Sequence, residues 1–170
     1  MRFKILGILA AVTLISACET APVEETTSTS AGDATAASTT AGSTTAMVDP
    51  IAPGSQRDLM VNVGDRVYFA YDRFDLNELS RSTLERQAAW MKQNSGVTVT
   101  LEGHADERGT REYNLALGAR RANSAKDYLV SLGVSASRIT VSSYGEERPV
   151  ALGSNEAAWA QNRRAETVVR

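Results

Sequence analysis

The run Gly103-His104-Ala105-Asp106-Glu107-Arg108-Gly109 puts two carboxylates, a guanidinium and the chain's single histidine into one short polar stretch. It passes directly into Thr110-Arg111-Glu112-Tyr113-Asn114-Leu115-Ala116-Leu117-Gly118-Ala119-Arg120-Arg121-Ala122, where apolar residues recur with helical spacing. At about 100° per residue, Leu117, Gly118, Ala125, Tyr128, Leu129 and Leu132 share one stripe facing the core. Asn114 and Arg121 fall on that stripe too. A guanidinium keeps its proton, so on an apolar stripe it needs an anion or a route to water. Asp106 and Glu107 are the candidate carboxylates in the preceding loop. Two arrangements answer the need: a polar pocket holding a ligand that bears both charges, or a private Asp–Arg bridge that pins the loop. Both stay open on the residues alone. A third chemistry is hydrolysis, with Glu102, Asp106 or Glu107 as acid and base around His104. It lacks a nucleophile elbow, and one histidine with one cysteine cannot make a usual zinc site.

A site of this kind needs a frame. Asp65 to Ala70 carries aromatic and β-branched residues and reads as a strand. Tyr71 to Leu76 leaves it as a loop. Leu76, Leu79, Leu84, Ala88 and Met91 predict a helix over about Asn77 to Gln93, stopped by Asn94-Ser95-Gly96. Val97 to Glu102 alternates apolar and polar, which predicts a half-buried strand with Val97, Val99 and Leu101 inward. A helix from about Arg111 to Leu132 follows the polar loop, closed by Gly133 as a left-handed cap. Ser137 to Tyr144 is a third strand. Ser154 or Asn155 caps a short helix through Asn162, and Arg164 to Val169 is a last strand. The order β-α-β-α-β-α-β predicts an α/β two-layer sandwich with some strands parallel. His104 is read as a loop histidine bonded to its neighbours. Glu107, Arg108, Arg111 and Glu112 are read as a solvated charged patch, and Trp90 and Trp159 as core or half-exposed packing.

The chain has 170 residues and a formal net charge of −2. That is room for one ordinary domain with appendages, and it leaves no basic footprint for nucleic acid. No cofactor or metal is expected. Arg2 and Lys4 precede an apolar run, Ile5 to Ile15, that is too short to span a bilayer and fits a secretory signal. It ends in Leu14-Ile15-Ser16-Ala17-Cys18, which resembles the lipobox of bacterial lipoproteins. The resemblance implies cleavage before Cys18 and lipid on Cys18, a stable anchor when several acyl chains are attached. Glu19, where an aspartate would favour the inner membrane, leans towards the outer one. From Glu19 to about Thr45 the chain is mainly Thr, Ser and Ala, too polar to offset its ordering entropy. A flexible linker of roughly 35 residues spans about 30–35 Å on average and up to about 115 Å when taut. The expected division is 1–17 signal peptide, 18–55 lipid anchor and flexible, disordered tether, and 56–170 folded domain.

Gly103 to Thr110, Glu112-Tyr113-Asn114, Leu117-Gly118 and Arg120-Arg121-Ala122 resemble the OmpA-like domain. Ser143-Tyr144-Gly145-Glu146, Asn162-Arg163-Arg164 and Val67-Tyr68-Phe69 followed by Asp72 resemble it as well. The ordered match covers about Val67 to Arg170. With the lipobox and tether, it is similar to the peptidoglycan-binding lipoproteins of the Tol–Pal system. The resemblance implies non-covalent binding of the peptidoglycan stem peptide through meso-diaminopimelate, whose side chain ends in an ammonium and a carboxylate. It assigns that ligand to Asp106 and Arg121, with Asp72, Asn114 and Leu117 lining the pocket and Arg163 a weaker transfer. It also implies a non-enzymatic tether between outer membrane and wall, supporting envelope integrity and cell division. The implied partners are a TolB-like periplasmic β-propeller and other Tol proteins. A structural lipoprotein without its own ligand remains the bland alternative.

Overall fold

The computed structural model describes residues 50–170. The expected signal peptide, the lipidation site Cys18 and the tether through residue 49 lie outside the described residues. Helix starts follow the capping residues. The side-chain oxygens of Asn77, Thr110 and Asn155 accept from the backbone N–H groups of Ser80, Tyr113 and Ala158 at 2.8, 3.2 and 3.0 Å. Each cap satisfies a donor the helix itself cannot. They open α2 (Glu78–Gln93), α3 (Arg111–Ser131) and α4 (Glu156–Asn162). Gly133 ends the α3 region at φ 91°, as its position suggested.

One element was not expected. Ser55 caps a short α1 (Gln56–Asp58), which runs on as a π-helical stretch, Leu59–Val63. The sequence carries no helical period here, because tertiary partners fix the segment. Leu59 is fully buried, and Trp90 Nε1 donates to Asp58 at 2.8 Å. The Gln56 amide donates to Thr167 O and accepts from Val169 N, at 3.2 and 2.7 Å.

The strands are β1 (Arg66–Tyr68), β2 (Val99–His104), β3 (Ile139–Gly145) and β4 (Arg164–Val169), in the sheet order β1-β4-β2-β3. Parallel β2 and β3 are joined by α3 as crossover; β4 runs antiparallel to β1 and β2. The two-layer α/β sandwich stands. Val67, Val99, Leu101, Ile139 and Ala165 meet Leu84, Met91, Ala122, Ala125 and Leu129 in one core. The half-buried alternation expected of β2 does not hold. As a central strand it is covered on both faces: Thr100 is 1% exposed and receives Arg170 Nε at 2.6 Å.

Two glycines set the distance between α3 and β2. A Cβ on Gly103 would be driven into the carbonyl of Gly118, and one on Gly118 would lie 2.8 Å from Gly103 O. Backbone therefore meets backbone, and α3 lies close on the C-terminal end of β2. Residue 169 pairs with residue 99 at the other end of β2, so Gln56 sits at the pole opposite His104.

His104 is not a loop histidine bonded to its neighbours. It ends β2, on the sheet face away from α3, and is 2% exposed. Its ring stacks on Tyr144 at 5.6 Å, and neither ring nitrogen has a partner. Burial, then the charges of Arg164, Arg148 and Arg66, opposed by Glu166, bring its pKa down to about 4. The folded value lies below the unfolded value of about 6.5. Between these values the unfolded chain takes up a proton that the fold refuses, so stability falls as pH drops from 6.5 to 4. The loss approaches about 3 kcal/mol. Urea unfolding at a series of pH values should show that slope, and His104→Phe, which keeps a ring on Tyr144, should flatten it. An unchanged slope in the variant would assign the titration elsewhere.

Candidate functional site

Where the β1–α2 loop, the loop after β2 and the first turns of α3 meet, they enclose a cavity of about 210 Å³. Its wall comprises Tyr71, Asp72, Asp106, Arg108, Gly109, Tyr113, Asn114, Leu117 and Arg121. Five of the six sequence-chosen binding residues thus share one cavity: Asp106, Arg121, Asp72, Asn114 and Leu117. Arg163 stands behind the wall, 6% exposed. Glu102 and His104 are absent from the lining, so the acid–base trio with Asp106 does not converge there.

Arg121 is fully buried, as its place on the stripe demands. Its partners differ from the expectation. It binds neither Asp106 nor Glu107 directly. Nε donates to Arg73 O at 2.8 Å, Nη1 to His104 O at 2.8 Å and Nη2 to Ala70 O at 3.2 Å. Its guanidinium carbon lies 5.4 Å from the Phe69 ring centroid. Burial pulls its pKa down to about 10 against the nearby charge of Asp106, so it stays protonated at neutral pH. Carbonyl dipoles, rather than one anion, hold the cation. An Asp–Arg bridge does exist, but to other arginines. Arg108 grips Asp106 with Nε at 3.1 Å and Nη2 at 2.7 Å, and its backbone N–H adds a third bond at 3.1 Å. Arg163 Nη1 reaches the same carboxylate at 3.4 Å while its Nε holds Phe69 O. Burial alone would raise the Asp106 carboxyl; the Arg108 hydrogen bonds, its charge and the Arg163 bond overcome this and hold it below its ordinary value.

Asp72 sits at the rim, exposed, with the left-handed φ of 54° that aspartate tolerates better than most residues. The Tyr113 hydroxyl donates to its carboxylate. Asn114 is buried and donates to Glu146. The N–H of Tyr113 is taken by the Thr110 cap, which removes it from any anion at the helix start. Arg108 is not part of a freely solvated patch: Tyr71 and Trp159 cover its two faces, 4.0 and 4.1 Å from ring centroid to guanidinium carbon. Sequence reasoning missed Tyr71, Tyr113 and Arg108 as lining. Arg108 lay inside the motif, and Tyr113 one residue from Asn114. Tyr71 and Trp159 arrive only by tertiary contact, which leaves no local signal. Among the described residues no group of His, Cys, Asp or Glu is arranged to hold a metal, and no helix is long and apolar enough to cross a membrane.

Arg121 is a clasp before it is anything else. Arg121→Leu leaves three carbonyls without their donor and should cost about 3–5 kcal/mol in denaturant unfolding. Arg121→Lys keeps the charge but cannot fork to three acceptors, and should recover only part of the loss. Stability within about 1 kcal/mol of the parent for Arg121→Leu would show that the clasp matters little.

A family model described as the OmpA family matches residues 68–163. A peptidoglycan-associated lipoprotein of Rhizobium meliloti is 55% identical over 117 residues, which is 69% of this chain and 66% of that protein. One of the same name from Mesorhizobium japonicum is 54% identical, over 69% of this chain and 70% of that protein. The crystal structure of the peptidoglycan-associated lipoprotein from Burkholderia pseudomallei is 42% identical, with a TM-score of 0.61 over 62% of this chain and 90% of its own. The match spans just under two thirds of the Rhizobium protein's length. The family match runs from the last residue of β1 to the arginine behind Asp106, so the whole cavity lies within it, and the chain belongs to the OmpA family.

Proposed function

We propose that this chain is a lipid-anchored envelope protein whose folded domain binds peptidoglycan without covalent chemistry, through the meso-diaminopimelate stem peptide. The observation that carries the proposal is the convergence of Asp72, Asp106, Asn114, Leu117 and Arg121 on one cavity. The ligand side chain ends in an ammonium and a carboxylate, and the cavity offers both complements. The exposed Asp72 carboxylate accepts from the ammonium. A guanidinium carries five N–H donors. Three of those on Arg121 go to carbonyls, so two remain, with its charge, for the carboxylate. Arg108, fixed at the edge of the same cavity, adds a second cation. Relatives named peptidoglycan-associated lipoprotein support the assignment. With Cys18 lipidated, the domain tethers the outer membrane to the wall and works within a Tol–Pal system, docking a TolB-like β-propeller and serving envelope integrity and cell division. Gln56, near the start of the described residues, packs at the pole opposite the cavity.

Sedimentation with purified sacculi tests the site. The protein should pellet with sacculi containing meso-diaminopimelate and stay in solution with lysine-type sacculi. Asp72→Asn tolerates the left-handed backbone, and Asp106→Asn preserves shape; each should cut retention by about tenfold with native circular dichroism. Equal retention of all three proteins rejects the cavity, and release of soluble muropeptides favours a hydrolase. A second measurement tests the anchor: Cys18→Ala should move the protein from the detergent phase to the aqueous phase. Unchanged partitioning would remove Cys18 as the lipid site.

A further inference from the structure

Trp159 lies more than fifty residues from the loop it touches, and it touches that loop twice. Its ring covers the guanidinium of Arg108 at 4.1 Å, and its Nε1–H donates to Glu107 at 3.1 Å. Tyr71, from the other side of the cavity, closes the sandwich at 4.0 Å. Trp159 itself is only half-buried and stands apart from the core cluster. Its contacts are with the loop, not with the interior. The indole therefore holds side chains rather than filling space.

The held group matters for what the cavity can select. Arg108 directs Nε and Nη2 at Asp106. Its Nη1 has only a loose 3.7 Å ion pair with Glu156, whose side chain is 65% exposed. Stacked on two rings and bonded to Asp106, the guanidinium keeps its place in the cavity lining. Stacking against aromatic faces suits arginine and leaves its in-plane donors free for a carboxylate.

We infer that Trp159 is a positioning residue of the binding site: it holds Arg108 so that the site accepts stem peptides whose diaminopimelate carboxylate is free and discriminates against those in which it is a carboxamide. This rests on the wall-binding reading above. The carboxamide keeps the size of the carboxylate but loses the charge that Arg108 meets, and it turns an N–H donor towards a group that only donates.

The test is calorimetric titration of the purified protein with the tripeptide L-Ala-γ-D-Glu-meso-diaminopimelate and with its ε-carboxamide. Trp159→Ala should weaken tripeptide binding by about tenfold while circular dichroism stays native, because Asn162 and Arg163 still hold α4. Trp159→Phe keeps a ring over Arg108 and should bind within about threefold of the parent. Preference for the free acid should shrink in Trp159→Ala and persist in Trp159→Phe. Arg108→Ala and the double variant Arg108→Ala/Trp159→Ala should bind alike, since the indole acts through the guanidinium. Trp159→Ala binding as well as the parent, unchanged acid preference in it, or additive losses in the double variant would each overturn the inference. If Trp159→Ala does not fold, the parent, Trp159→Phe and Arg108→Ala still decide: loss of acid preference in Trp159→Phe, or its retention in Arg108→Ala, overturns it. A parent that binds neither tripeptide overturns the wall-binding reading itself.

Discussion

The upper half of the domain depends on one buried cation. Arg121 draws together three backbone carbonyls: those of residues 70 and 73, which a turn already joins through Arg73 N–H to Ala70 O at 3.2 Å, and that of residue 104 at the end of β2. Taking a guanidinium out of water is costly unless nearly all its donors are met. A lysine at this position would bring one compact point charge. The planar fork of arginine can address three carbonyls at once, and this is why the clasp can tie a loop to a strand. The clasp also relies on the glycine pair. Because Gly103 and Gly118 let α3 lie backbone-to-backbone on β2, the Arg121 guanidinium reaches the carbonyl of residue 104.

Meeting Arg121 with carbonyls leaves the acidic groups for other work. Asp106 is free to take Arg108 and Arg163, and those two bring in α4 through Glu156. Around the cavity three guanidiniums then stand near two carboxylates, Asp72 and Asp106, with Glu156 and Glu146 further out. Asp106 is already compensated by two arginines and is nearly closed to solvent. Asp72 is the accessible acid, paired with a neutral hydroxyl. The cavity thus has an exposed carboxylate at its rim and a buried guanidinium at its base.

Much of this was legible in the chain itself, and the limits have physical causes. Helix α3 was readable because its stripe has a strong period and Thr110 and Gly133 mark its ends. The burial of Arg121 followed from the same period, and so did the neighbourhood of Asn114 and Leu117. The partner of Arg121 was not readable. Any backbone carbonyl can accept, and carbonyls carry no mark in a sequence; the anions a sequence makes visible are Asp106 and Glu107. His104 was misplaced for a related reason: β2 runs two residues further than its alternation suggested, since a central strand buried on both faces need not alternate. The short α1 escaped because Trp90, Thr167 and Val169, far along the chain, define it.

Helix α4 supports the cavity although it lines none of it. Seven residues are far fewer than an isolated helix needs to persist in water. Helix α4 is therefore held by its contacts. Asn162 accepts from the backbone of residues 150 and 151 and donates back to residue 151, Arg163 bonds Phe69 O and Asp106, and Trp159 rests on Arg108 and Glu107. Two of these three anchors end on the loop that carries Asp106. The loop thus places α4 as much as α4 places the loop, and neither conformation is set by its own residues. Such mutual dependence makes the charged groups around Asp106 move together or not at all.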